Sequence, residues 1–112
     1  MEPEPAATHT AFFGDKEHNF RLGVAEIREL ERTTGTGIGS LFKRVIAGLF
    51  GINDLLETIR LGLIGGGMDP QTAADMIGFY GNRPIAETLP IAISVLEIAW
   101  FGTPSTTSED QQ

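Results

Sequence analysis

His18-Asn19-Phe20-Arg21-Leu22-Gly23-Val24-Ala25-Glu26-Ile27-Arg28-Glu29-Leu30 is the stretch in which the period of the chain changes. Up to Leu22 the pattern alternates. Phe20 and Leu22 fall on one face and Asn19 and Arg21 on the other, as in a half-buried strand. From Val24 the apolar residues recur every three positions. Val24, Ile27 and Leu30 are separated by Glu26, Arg28 and Glu29, the pattern of an amphipathic helix. The chain is therefore read as α+β, mainly α, with an N-terminal β-hairpin packed on a bundle of about five helices.

Upstream of this switch, Thr8 to Phe13 is rich in β-branched and aromatic residues. Gly14-Asp15-Lys16-Glu17 is turn chemistry, so residues 8–22 form the hairpin. A lone hairpin is marginal in water, and this one must lay its apolar face on helices.

Downstream, Thr34-Gly35-Thr36-Gly37 ends the first helix. Ser40 is placed as the cap of a second helix, with Phe42, Val45, Ile46 and Leu49 on one side and Lys43 and Arg44 on the other. Asn53 is placed as the cap of a third, with Leu55, Leu56, Ile59 and Leu63 as its stripe. Gly65-Gly66-Gly67 reads as its stop and as a hinge. Asp69-Pro70 opens a fourth helix, with Ala73, Met76, Ile77 and Tyr80 inward, and Gly81-Asn82 closes it. The last helix runs from about Pro84 to Trp100 or Phe101. It is apolar nearly all round, which predicts a central place in the bundle. Pro90 either kinks it or begins it after a short turn.

The 112 residues are enough for one domain, expected over 8–102. Residues 1–7, with two Glu-Pro pairs, and the polar residues 103–112 read as disordered tails that bury too little to offset ordering entropy. The formal charge is -7, from 15 acids and 8 bases. Four of those excess acids sit in the tails, leaving residues 8–102 at -3. An acidic chain repels nucleic-acid backbone, so no nucleic-acid partner is expected. Absence of cysteine excludes disulfides and thiolate chemistry and fits a reducing compartment. The N-terminus lacks a signal-peptide layout, and no run of uninterrupted apolar residues reaches membrane-spanning length.

No motif carries chemistry. Gly35-Thr36-Gly37-Ile38-Gly39-Ser40 lacks the lysine of a phosphate loop and follows a helix rather than a strand, so it is a helix–helix linker. His9 and His18 stand on opposite strands, not facing each other, and read as exposed strand histidines without a third metal ligand. Glu26 and Asp54 suit the first turn of a helix. Glu87 and Glu97 form a solvent strip on the last helix; a well-formed pocket holding either beside an arginine would instead suggest an enzyme. No catalytic, cofactor or metal residue is assigned, and no small-molecule substrate is expected. The large apolar residues at element ends remain. Phe79, Tyr80, Phe101 and Met68 are selected as a protein-binding set.

Glu29-Leu30-Glu31-Arg32, the glycine break after it, Ile59-Arg60-Leu61-Gly62-Leu63-Ile64-Gly65-Gly66-Gly67, Arg83-Pro84-Ile85-Ala86-Glu87 and the ending Glu97-Ile98-Ala99-Trp100-Phe101-Gly102 complete the picture. In this order they resemble the small tail proteins of gene transfer agents, the phage-like particles of alphaproteobacteria, over residues 10–102. That family is described both as tail tube protein and as tail assembly chaperone. Tubes similar to those of phages are built on sheets that pair into rings. A small helical protein suits the chaperone role, which the resemblance describes as coating the tape-measure protein while the tube grows. The resemblance thus implies a non-enzymatic tail morphogenesis protein of the bacterial cytoplasm. Its implied partners are the tape-measure protein and other tail proteins, with self-association left open. A permanent place in the mature tail is the alternative.

Overall fold

A computed structural model describes residues 7–102, so the tails expected at 1–7 and 103–112 lie, apart from Ala7, outside the described residues. Strands β1 (His9–Phe13) and β2 (Lys16–Phe20) pair antiparallel, His9 opposite Phe20 and Phe13 opposite Lys16. The turn is two residues, shorter than the four read from sequence. Gly14 takes φ 73°, as the first central position of a type II′ turn requires. Phe13 and Phe20 are buried, as is Leu22 just past β2.

Five helices follow: α1 (Val24–Thr34), α2 (Ile38–Ala47), α3 (Ile52–Gly65), α4 (Pro70–Tyr80) and α5 (Ile85–Phe101). The hairpin and five helices bear out the α+β, mainly α reading. Two starts differ from expectation. Gly37, not Ser40, precedes α2, and Gly51, not Asn53, precedes α3. The carboxylates one turn on explain α1 and α3: Glu26 accepts from the Gly23 N–H at 2.9 Å and Asp54 from the Gly51 N–H at 2.8 Å. For α2 the Ile38 N–H is taken by Glu31 of α1, at 2.8 Å. Asn53 instead donates to the Thr33 carbonyl at 3.2 Å. Asp69 caps α4 as expected, accepting from Gln71 N and Thr72 N. Pro90 lies inside one continuous assigned helix, α5.

The centre of the bundle is α3, not α5. It meets α1, α4, α5 and β2 and buries Leu55, Ile59, Leu61 and Leu63. Thr58, fully buried, donates its hydroxyl to the Asp54 carbonyl at 2.7 Å, which satisfies it within the helix. By contrast α5 buries Ala92, Val95, Leu96 and Ile98 while Ile85, Trp100 and Phe101 stay exposed. Its all-round apolarity thus includes an uncovered surface. The other stripes were also partly misread. Val24, Ile46 and Leu49 are exposed, and Leu41 takes the core position on α2 beside Val45.

The glycine run does more than stop α3. Arg21 N–H donates to the Gly62 carbonyl at 2.9 Å, laying the end of the hairpin on the helix. A Cβ on Gly65 would sit 1.9 Å from the Arg21 carbonyl oxygen, and one on Gly66 2.0 Å from that of Asn19. Neither distance is sterically possible. The two glycines are a packing seam between main chains, where the sequence suggested a hinge.

Candidate functional site

The four residues selected from sequence fall in three places. Phe79 is 77% exposed at the end of α4. Tyr80 beside it is half-buried, edge-on to Phe13 with ring centroids 6.0 Å apart, and it covers the Gly14 turn. Met68 is half-buried next to β2 and Leu63. Phe101 is 73% exposed and shares a groove with His9 and Ile98 at the other end of β1. The cavity at Tyr80 is lined by Thr88, and the ten helical steps from Thr88 to Ile98 span about 15 Å. One patch holding all four is therefore not formed.

A different surface is formed, of which the sequence reading selected only Phe101. The Phe42 ring of α2 lies 5.3 Å from that of Trp100 and 6.2 Å, edge-on, from that of Phe101. The indole lies over Gly39 of α2, close enough that a Cβ there would touch Trp100 Cη2 at 3.7 Å. Ile46 and Leu49 extend the apolar surface along α2 and past its end, both more than half exposed. Two shallow grooves meet at Lys43. One, of about 540 Å³, is lined by Gly39, Ser40, Phe42 and Trp100; the other, of about 360 Å³, by Thr36, Ala47 and Leu49. A signal was present in the sequence. Ile38, Leu41, Phe42, Val45, Ile46 and Leu49 span too wide an arc for one buried face. Likewise Trp100 and Phe101, adjacent on a helix, point about 100° apart and cannot both face the core.

Several charged groups form local pairs. Arg83 and Glu87 pair at 2.9 Å on the surface, which raises the Arg83 guanidinium above its usual value. Glu57 accepts two bonds from Arg60, which hold its carboxyl below the ordinary glutamate range although burial pushes it the other way. Arg32 does the same for Glu29. Glu97 is exposed, in keeping with a solvent strip. The histidines are half-buried rather than exposed. His18 Nε2 lies 2.8 Å from Asp15 Oδ1, and this bond lowers the Asp15 carboxyl.

Glu87 and Arg83 do line a cavity, together with Phe12, Phe13, Tyr80 and Thr88. It holds about 150 Å³, below the roughly 300 Å³ at which ligand pockets begin. Both charges stand at its rim, over half exposed and paired with each other. Among the described residues no group of three histidines or carboxylates could hold a metal ion, and no helix is long and apolar enough to cross a membrane.

The site is thus an aromatic surface with the chemistry of a protein contact. No curated protein and no solved structure matches the chain. A family model does, that of the phage tail tube protein, GTA-gp10, and the match runs over residues 6–102. With every described residue inside that match, the protein belongs to the GTA-gp10 phage tail tube family and has a structural or morphogenetic role in a phage-like tail.

Proposed function

We propose that this tail protein is an assembly chaperone that binds the tape-measure protein transiently, without catalysis, in the bacterial cytoplasm. The observation that carries this reading is the sheet. Among the described residues it has two strands, and β2 ends against α3. A tube wall made of sheets paired into rings needs far more strand than that. Exposed aromatics on a helical body suit the capture of an amphipathic helix, and a long apolar-striped partner gains solubility from such cover. Of the residues selected from sequence, we put Phe101 in this contact, beside Trp100.

Co-expression with the tape-measure protein of the same gene cluster tests the reading. A rise in soluble tape-measure protein is expected; unchanged solubility overturns it. The family's description as a tail tube protein favours a second reading, a permanent component of the tail. Stoichiometric copies of this chain in purified particles would establish that one.

A further inference from the structure

Resting on that reading, we infer that the outer face of α2, together with the end of α5, binds an amphipathic helix whose apolar stripe is flanked by acidic residues. The apolar half of the argument is geometric. Phe42 and Ile46 stand one turn apart on α2, about 6 Å along its axis, and Leu49 continues the apolar surface just past Gly48, where the helix ends. Trp100 and Phe101 wall one end of that stripe. A partner helix laid there meets Phe42 and Ile46 about one of its own turns apart.

The charge half sets the partner's chemistry. The chain as a whole carries nearly two acids for every base. Yet the only charged residues lining the two grooves on α2 are Lys43 and Arg44. Arg44 is engaged by Asp54, whereas Lys43 is exposed and has no ion-pair partner among the described residues. A cation between two apolar grooves, on an acidic protein, selects a carboxylate at the edge of the incoming helix. A second copy placed face to face would set Lys43 near its own counterpart and is disfavoured.

Trp100 is the sole tryptophan, half exposed and inside the surface, so its emission reports occupancy directly. The probes are two synthetic helical peptides with the same leucine stripe, one flanked by Glu and one by Lys. The Glu-flanked peptide should shift Trp100 emission to the blue and bind about three- to tenfold more tightly, as for one partly screened charge pair. Lys43→Glu should reverse that preference, and Ile46→Asp should abolish binding of both. Lys43 is exposed and Ile46 half exposed in the last turn of α2, so the circular dichroism of each variant should match the parent and its thermal midpoint should fall by no more than a few degrees. Equal binding of the two peptides, no binding of either, or indifference to Ile46→Asp overturns the inference. So does self-association, by sedimentation equilibrium, that Ile46→Asp removes. Co-expression separates this failure from that of the chaperone reading. If the parent chain and Ile46→Asp solubilise the tape-measure protein equally, the chaperone stands and this face is wrong. If the parent does not solubilise it, the chaperone reading itself fails.

Discussion

Arg44 donates from Nη2 to both carboxylate oxygens of Asp54, at 2.8 Å each, and so ties α2 to the first turn of α3. The Asp54 side chain is 6% exposed and also accepts from the Gly51 N–H, so one carboxylate both holds a neighbouring helix and caps its own. Asp54→Ala removes both roles and leaves the guanidinium beside a buried surface. Arg44 keeps partial access to water, so the cost should be about 2 kcal/mol rather than the full penalty of an orphaned buried charge. The urea midpoint measures it. Arg44→Met should cost at least as much, because it leaves the buried Asp54 carboxylate without its counter-charge and held only by the cap bond.

The main-chain seam gives a sharper contrast. Gly65→Ala and Gly66→Ala each force a methyl into a carbonyl oxygen of the hairpin and should destabilise by about 3 kcal/mol or more. Gly78→Ala, exposed in the last turn of α4 with nothing near its Cβ, should stabilise by about 0.5 kcal/mol. Parallel thermal melts of the three variants distinguish a packing seam from a simple helix stop.

The Glu57–Arg60 pair makes stability depend on pH. Arg60 lowers the Glu57 pKa in the folded chain below its ordinary value of 4.5. The folded state therefore holds the proton less tightly than the unfolded one. The contribution is fully present above 4.5 and is lost as pH falls through the lower folded value. Glu57→Gln should flatten the stability profile in that acid window relative to the parent. An unchanged slope would mean the pair is not formed in solution.

Asp69 caps α4 through the backbone N–H groups of Gln71 and Thr72, at 3.0 and 3.1 Å. Asp69→Ala should cost about 1 kcal/mol, and Asp69→Ser should restore most of it. Hydrogen exchange localised to α4 would show whether the loss is that helix's own.

Phe101→Ser and Phe79→Ser both remove an exposed ring and should each change stability by no more than about 0.5 kcal/mol. In co-expression, Phe101→Ser should lower the soluble yield of the tape-measure protein, and Phe79→Ser should leave it unchanged. The opposite result would move the contact to the α4 end.

The hairpin, the helix order and most helix ends were legible because glycine, proline and the cap at Asp69 punctuate the chain. The starts of α2 and α3 were shifted because a glycine before a helix carries no side-chain signal, while Ser40 and Asn53 offer a plausible one further on. The centre of the bundle was misassigned for a related reason. Apolarity all round α5 describes what could be buried, not what is. Helix α3 earns the centre through Gly62, Gly65 and Gly66, whose missing side chains admit a strand that periodicity does not register. The aromatic surface was half legible. Phe101 was selected, but Phe42 and Ile46 looked like core because a stripe too wide for one face was read as one face.

A joint made from peptide groups is indifferent to the residues that carry them. The outward strand positions of the hairpin, Glu17 for one, are thus free to be rewritten as long as Gly65 and Gly66 beneath it and Gly14 at its tip are kept. The same body can wear different ornaments there, and a fluorophore grafted at Glu17 should ride on the protein without loosening it.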